Sequence, residues 1–126
     1  MKTLQTILVL LISICTYAQN NYDETKISSK TKTAVKKITK VNELMSSAVY
    51  SSGTRPKQWD NFEELKISAS IEELIELTNH PNGVVRSYSF WALSLTKNVD
   101  LFSIIKTHLN DYELINTQFG SIGGQE

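Results

Sequence analysis

Few residues in this chain have the type and spacing for chemistry. The two histidines, His80 and His108, lie 28 positions apart. Imidazoles on one edge of a fold, joined by Asp100 or Asp111, are the start of a metal site. Both also fall near expected helix ends, where a histidine is the ordinary partner of the helix dipole. That account needs no metal. Glu63-Glu64 and Glu72-Glu73 are adjacent pairs, which point about 100° apart on a helix and so do not face each other as a general acid and base. No G-x-S-x-G is present, and the serines lack a paired base. The single cysteine, Cys15, excludes an internal disulfide and a thiolate zinc site. Gly120 to Gly124 (GSIGG) follows a helical pattern instead of opening a helix after a strand, so it is no phosphate loop. The reading assigns no catalytic residue, no cofactor and no metal, and expects no intrinsic catalysis.

The elements that would position these residues come from a short chain. Its 126 residues, 40% apolar and 21% charged, make one domain at most and are not the composition of a disordered tail. Thirteen basic residues balance thirteen acidic ones, which removes the footprint of a general nucleic-acid binder. The balance hides an asymmetry: Gln19 to Val41 holds six lysines against Asp23 and Glu24, whereas Asn42 to Glu126 carries 6 basic and 11 acidic residues.

Met1-Lys2 followed by the apolar run Leu4 to Cys15 is too short for a membrane span and reads as a signal peptide. Thr16 and Ala18 supply small residues for a cut after Ala18, leaving no transmembrane helix in the mature chain. Cys15 opens a lipoprotein alternative, although Ile14 stands where that processing takes a small residue. Retention as an uncleaved anchor is the other alternative. The expected division is 1–18 signal peptide, 19–32 a flexible segment poor in apolar residues, and 33–126 a helical domain.

Within that domain Ala34, Val35, Ile38, Val41, Leu44, Met45 and Ala48 recur at three- and four-residue spacing and predict an amphipathic helix from about Thr33 to Tyr50. Its lysine face reads as solvated, with anionic envelope components as a weaker functional alternative. Gly53 and Pro56 mark a loop, and Trp59, Phe62 and Leu65 predict a helix over Pro56 to Ile67 with core aromatics. Ser70-Ile71-Glu72-Glu73 is a capping box. The helix it opens buries Leu74, Ile75 and Leu77 and ends at Thr78 to Gly83, because Pro81 disfavours helical geometry at His80. Asn82 caps a second helix reaching about Lys97, and Asp100 caps a third over Leu101 to Leu109. Tyr112 to about Ile122 is expected to start a fourth.

Leu74-Ile75 matches Ile104-Ile105 at an offset of 30, and Val84-Val85 matches Leu114-Ile115 at the same offset. The stretch LIELTNHPNGVVRSYSFWAL, with its turn asparagine and proline, Val85-Arg86, and the small Ser89 and Ala92, resembles the HEAT-repeat family over about residues 71–122. The resemblance implies an all-α fold, a short α-solenoid of antiparallel helix hairpins behind the leader and the lysine-rich helix. It implies a core of Val85 and Leu93, and an Arg86 that reaches the turn of a neighbouring repeat, where the family has an aspartate. Here His80 and Asn82 hold the first turn, while the second copy has Asp111 but Asn116 in place of the arginine. Two repeats are few for a stable stack, so the array is expected to continue past Glu126 or to be a truncated relative of a longer one. Such stacks bind other proteins along the second helices, which implies Arg86, Ser87, Ser94 and Lys97 as partner-binding positions. The expected function is a secreted or periplasmic bacterial interaction module or scaffold; the alternative is an accessory domain of a larger secreted enzyme.

Overall fold

The computed structural model describes residues 21–125. The leader Met1 to Ala18, its cut site and the two residues that follow lie outside the described residues. Within them the fold is mixed, with five helices and a three-stranded sheet, which overturns the expected all-α solenoid.

The first departure comes at Asn42. Helix α1 (Ser29–Val41) starts on the Ser28 hydroxyl, which accepts the Thr31 N–H, and stops where Asn42 turns left-handed at φ 54°. Asparagine tolerates that conformation better than most residues carrying a Cβ. The expected helix to Tyr50 is thus cut short, and Leu44–Val49 extends as strand β1. Leu44, Met45 and Ala48 fit a helical spacing, but a run this short does not separate the two periods. The partner decides: Leu44 pairs with Thr117 and Met45 with Gln118, in parallel, on a strand some seventy residues downstream.

The helices that follow start where local chemistry places them. Helix α2 (Lys57–Ser68) begins after Pro56. Helix α3 (Ile71–Leu77) has the full capping box: the Ser70 hydroxyl accepts the Glu73 N–H, and the Glu73 carboxylate accepts the Ser70 N–H. Helix α4 (Gly83–Ser94) starts on the Asn82 side chain, which accepts the Val85 N–H. Helix α5 (Leu101–Lys106) starts on Asp100, which accepts the Ser103 N–H. Each cap satisfies one of the amides that a helix leaves unpaired at its first turn.

The second departure is the carboxyl-terminal segment. In place of the expected helix over Tyr112 to Ile122 lie an extended stretch and the hairpin β2 (Asn116–Gly120) and β3 (Ile122–Gln125). Phe119 pairs with Ile122, which leaves a two-residue turn opened by Gly120 at φ 55°. Tight hairpin turns demand that sign of φ, and glycine adopts it without strain. The sheet order is β1-β2-β3, parallel then antiparallel.

Segment 21–32, expected to be flexible, is fastened to α3. Glu76, itself buried, accepts the Asp23 N–H at 2.7 Å and the Lys26 ammonium at 3.0 Å. Glu73 accepts the Ser28 N–H at 2.6 Å and the Thr31 hydroxyl at 3.1 Å. Burial alone would push the Glu73 carboxyl up, but these donors and the Ser70 N–H hold it below its ordinary value. Ile27 joins the core, and Tyr22 packs against the His80 ring at 4.8 Å between centroids. Composition does not reveal this fastening, because the carboxylates that hold the segment are 42 to 53 residues away.

The core joins Ala34, Val35 and Ile38 of α1 with Phe62 and Leu65 of α2, Leu74 and Leu77 of α3, and Val84, Val85, Tyr88, Ala92 and Leu93 of α4. The stripe of Trp59, Phe62 and Leu65 faces inward as expected, with the Phe62 and Tyr88 rings stacked at 4.7 Å. Ile75, expected on the buried side of α3, is exposed. Tyr88 ties the helices to the sheet. Its hydroxyl donates to the Met45 carbonyl at 2.9 Å and accepts the Met45 N–H at 2.8 Å. β1 is a sheet edge, so its outward backbone groups need partners once buried. Burial pushes the Tyr88 phenol up to about 12, and the nearby Glu43 adds to the rise. Tyr88→Phe keeps the ring packing but strands both Met45 groups. The expected loss is about 1–3 kcal/mol, measured by urea unfolding; an unchanged midpoint would show that water replaces the hydroxyl.

Candidate functional site

The residues implied as partner-binding separate in the fold. Ser94 and Lys97 are exposed, Ser87 is half-buried, and Arg86 is buried at 6% exposure. The expectation that Arg86 is an accessible contact is corrected by this burial. All five of its N–H donors have protein acceptors. Nε and Nη2 grip the two Asp111 carboxylate oxygens at 2.7 and 2.9 Å. Nη1 donates to the His80 and Pro81 carbonyls at 2.8 and 3.1 Å, and Nη2 also donates to Glu113. A rigid guanidinium fork suits this arrangement, whereas a lysine ammonium cannot make it. The arginine thus ties the α3–α4 turn to the segment that enters β2. A close approach makes room for it: a Cβ on Gly83 would meet Ile115 Cγ2 at 2.7 Å and Glu113 Cδ at 3.1 Å.

Electrostatics follow from this ion cluster. Burial disfavours charge on Arg86, but Asp111 and Glu113 overcome it and raise the guanidinium further. Burial would likewise raise the Asp111 carboxyl, and the Arg86 bonds, the Glu113 N–H and the Arg86 charge hold it below its ordinary value. His80 is pushed down by burial and by the Arg86 charge. His108 is pushed down chiefly by burial. The histidines engage different aromatics, His80 meeting Tyr22 and His108 meeting Phe90 edge-on at 5.2 Å. Among the described residues no group of three or more His, Cys, Asp or Glu side chains is placed to hold a metal ion.

Asp111 also forms one wall of an open groove of about 480 Å³ between α4 and α5, lined by Phe90, Trp91, Ser94, Leu101, Ile105 and His108. None of the α5 residues is fully buried. Ile105 in its lining is itself exposed, and the same stretch of chain exposes Phe102 at 72%, Leu109 at 67%, Tyr112 at 80% and Leu114. Of the four implied positions, Ser94 lines the groove, and Lys97 stands in the turn leading from α4 to α5. The α5 residues among these have no helix over Tyr112 to Ile122 packed beside them. With that stretch drawn into the sheet, they remain open. The apolar pattern at Leu101, Phe102, Ile104 and Ile105, broad for a six-residue helix, was the available signal.

No protein-family model, curated protein or solved structure matches this chain.

Replacing Arg86 by Met removes the donors of the His80 and Pro81 carbonyls and the cation of Asp111 and Glu113; both carboxylates reach solvent, so the expected cost is about 1–3 kcal/mol in urea unfolding. Arg86→Lys recovers less than half of it; full recovery would show that charge alone suffices. Between pH 7 and the acid limit the wild-type pH profile should have one sign, set by the groups whose folded values are depressed. His80 and His108 titrate lower when folded than their ordinary 6.5, and Asp111 lower than 3.8. Each depressed value means that the unfolded chain binds the proton more tightly, so stability is full above pH 6.5. It falls as pH drops below 6.5, and falls again below 3.8. A melting temperature that rises between pH 7 and pH 5 would contradict the assignment.

Proposed function

We propose that this chain is an exported protein-binding module without catalysis of its own, and that the α4–α5 groove is where its partner docks. One observation carries it: an open groove lined by Phe90, Trp91, Leu101 and Ile105 belongs to a part of the chain that also exposes Phe102, Leu109, Tyr112 and Leu114. Exposed apolar surface that is contiguous and rimmed by polar groups marks interaction sites in soluble domains. Here Ser94, His108 and Asp111 supply the rim. The groove suits the apolar face of a partner helix laid beside α5, with Trp91 and Ile105 at its sides. Export is supported by the basic start, the apolar run and the small residues before Gln19. Of the described residues, no helix is long and apolar enough to cross a membrane.

A photo-crosslinking residue placed at Ile105 in expressing cells tests this reading. A discrete protein adduct is expected there and not from Ile67, an equally apolar and more exposed position on α2. Phe102→Glu with Leu109→Glu should abolish the adduct while leaving the circular dichroism unchanged, since both side chains are exposed. The same adduct from Ile67, or its survival in the double variant, would sink the assignment. The intact mass of the exported form should begin at Gln19.

A further inference from the structure

A second surface lies on α1, apart from the groove. Its inward side holds Thr31, Ala34, Val35 and Ile38. At 3.6 residues per turn, Lys30, Lys36, Lys37 and Lys40 fall within about 120° of arc on the outward side, along a row of about 15 Å. The other lysines of this region are engaged elsewhere: Lys26 with Glu76 at 3.0 Å and Lys32 with Glu24 at 3.6 Å. Among the described residues Lys30, Lys36, Lys40 and Lys57 make no ion pair.

The row continues onto α2. Lys37, Lys40 and Lys57 line a groove of about 530 Å³ between α1 and α2, together with the exposed Val41. Two carboxylates also lie there, and both are neutralised: Glu64 by Lys37 at 2.7 Å and Asp60 by Arg55 at 2.8 Å. The surface is therefore cationic over its length, with a mostly apolar recess at one end.

The arrangement selects its occupant by shape. A discrete anion is held by donors that converge on a point, and these lysines are spread along a straight helix. A row of free ammoniums complements a plane of negative charge. The apolar recess beside it suits a plane with an apolar layer beneath, which an acidic protein surface does not offer. We propose that the outward face of α1 and the α1–α2 groove seat this protein on an anionic phospholipid bilayer. The lysines meet lipid phosphates there, and Val41 lies toward the glycerol level.

The test is partitioning of the full chain into vesicles made of equal parts phosphatidylglycerol and phosphatidylcholine, against phosphatidylcholine alone. The apolar leader binds both, so the readout is the excess on anionic vesicles. That excess should shrink as salt is raised. A lysine near such a surface contributes roughly a fivefold factor, so Lys36→Gln with Lys40→Gln should lower the excess roughly thirtyfold. Lys66→Gln with Lys106→Gln removes the same charge elsewhere and should leave the excess within about twofold, the screened long-range remainder. The thermal melt of the α1 double variant should match the wild type, because both its lysines are exposed, and the control is read at a temperature where its circular dichroism matches the wild type. Equal losses from the two pairs would reduce the effect to net charge and overturn the proposal. So would equal binding to both kinds of vesicle, or capture by poly-glutamate beads without any vesicle preference, which would assign the face to an acidic protein.

Discussion

The Arg86 guanidinium is the constraint around which the second half of this molecule is arranged. Five N–H groups in one plane need five acceptors, and once buried they must have them. Two come from the carbonyls that end the α3–α4 turn, two from Asp111 and one from Glu113. The acceptors lie on opposite sides of α5 in the sequence, so satisfying the arginine brings the chain back across α4 after α5. From there the path to β2 is short. The parallel pairing of β1 with β2, the placement of the hairpin and the closeness of Ile115 to Gly83 all follow that return.

A second buried polar group performs the matching task on the other side of α4. The Tyr88 hydroxyl serves both backbone groups of Met45, so the outer edge of β1 is finished by a helix side chain. Arg86 and Tyr88 are two residues apart on α4 and hold different parts of the chain. Helix α4 is therefore the axis of the fold, with α3, α5 and β1 gathered around it. The amino-terminal segment is secured by the same means, through the two carboxylates of α3, Glu73 and Glu76. In each case a charged or polar side chain is buried beside the group it orders, which gives a small domain definition that its modest apolar core alone would not supply.

The two outward surfaces follow from how this interior is satisfied. Because the Tyr112 to Ile122 stretch is committed to Arg86 and to the sheet, no further helix of the described chain covers the outer side of α5; Leu101 and Ile104 pack on the core while Phe102 and Ile105 stand open. Along α1, Lys32 pairs with Glu24 and Lys37 with Glu64, while Lys30, Lys36 and Lys40 keep their charge for solvent or for a surface. One face is apolar and the other cationic, and they occupy different helices, so a partner on one leaves the other free.

The caps were legible because they are local. A serine followed three residues later by glutamate, or an asparagine or an aspartate before an apolar stripe, satisfies donors within one turn, and a proline after a loop fixes the backbone at the helix entry. The sequence by itself therefore determined where α2, α3, α4 and α5 begin and which faces of α2 and α4 turn inward, while Ile75 of α3 turned outward. Arg86 was also recognisable as a residue that reaches a neighbouring turn, though not as a buried one. Tertiary structure alone decided the rest. Leu44 to Val49 and Asn116 to Gln125 carry apolar residues that either period accommodates, and their state was set by pairing across some seventy residues. Segment 21–32 has few apolar groups, and its order comes from carboxylates contributed by a distant helix. Hydrogen bonds within a turn are written in neighbouring residues, while strand pairing and buried ion pairs join positions whose proximity exists only after the chain has folded.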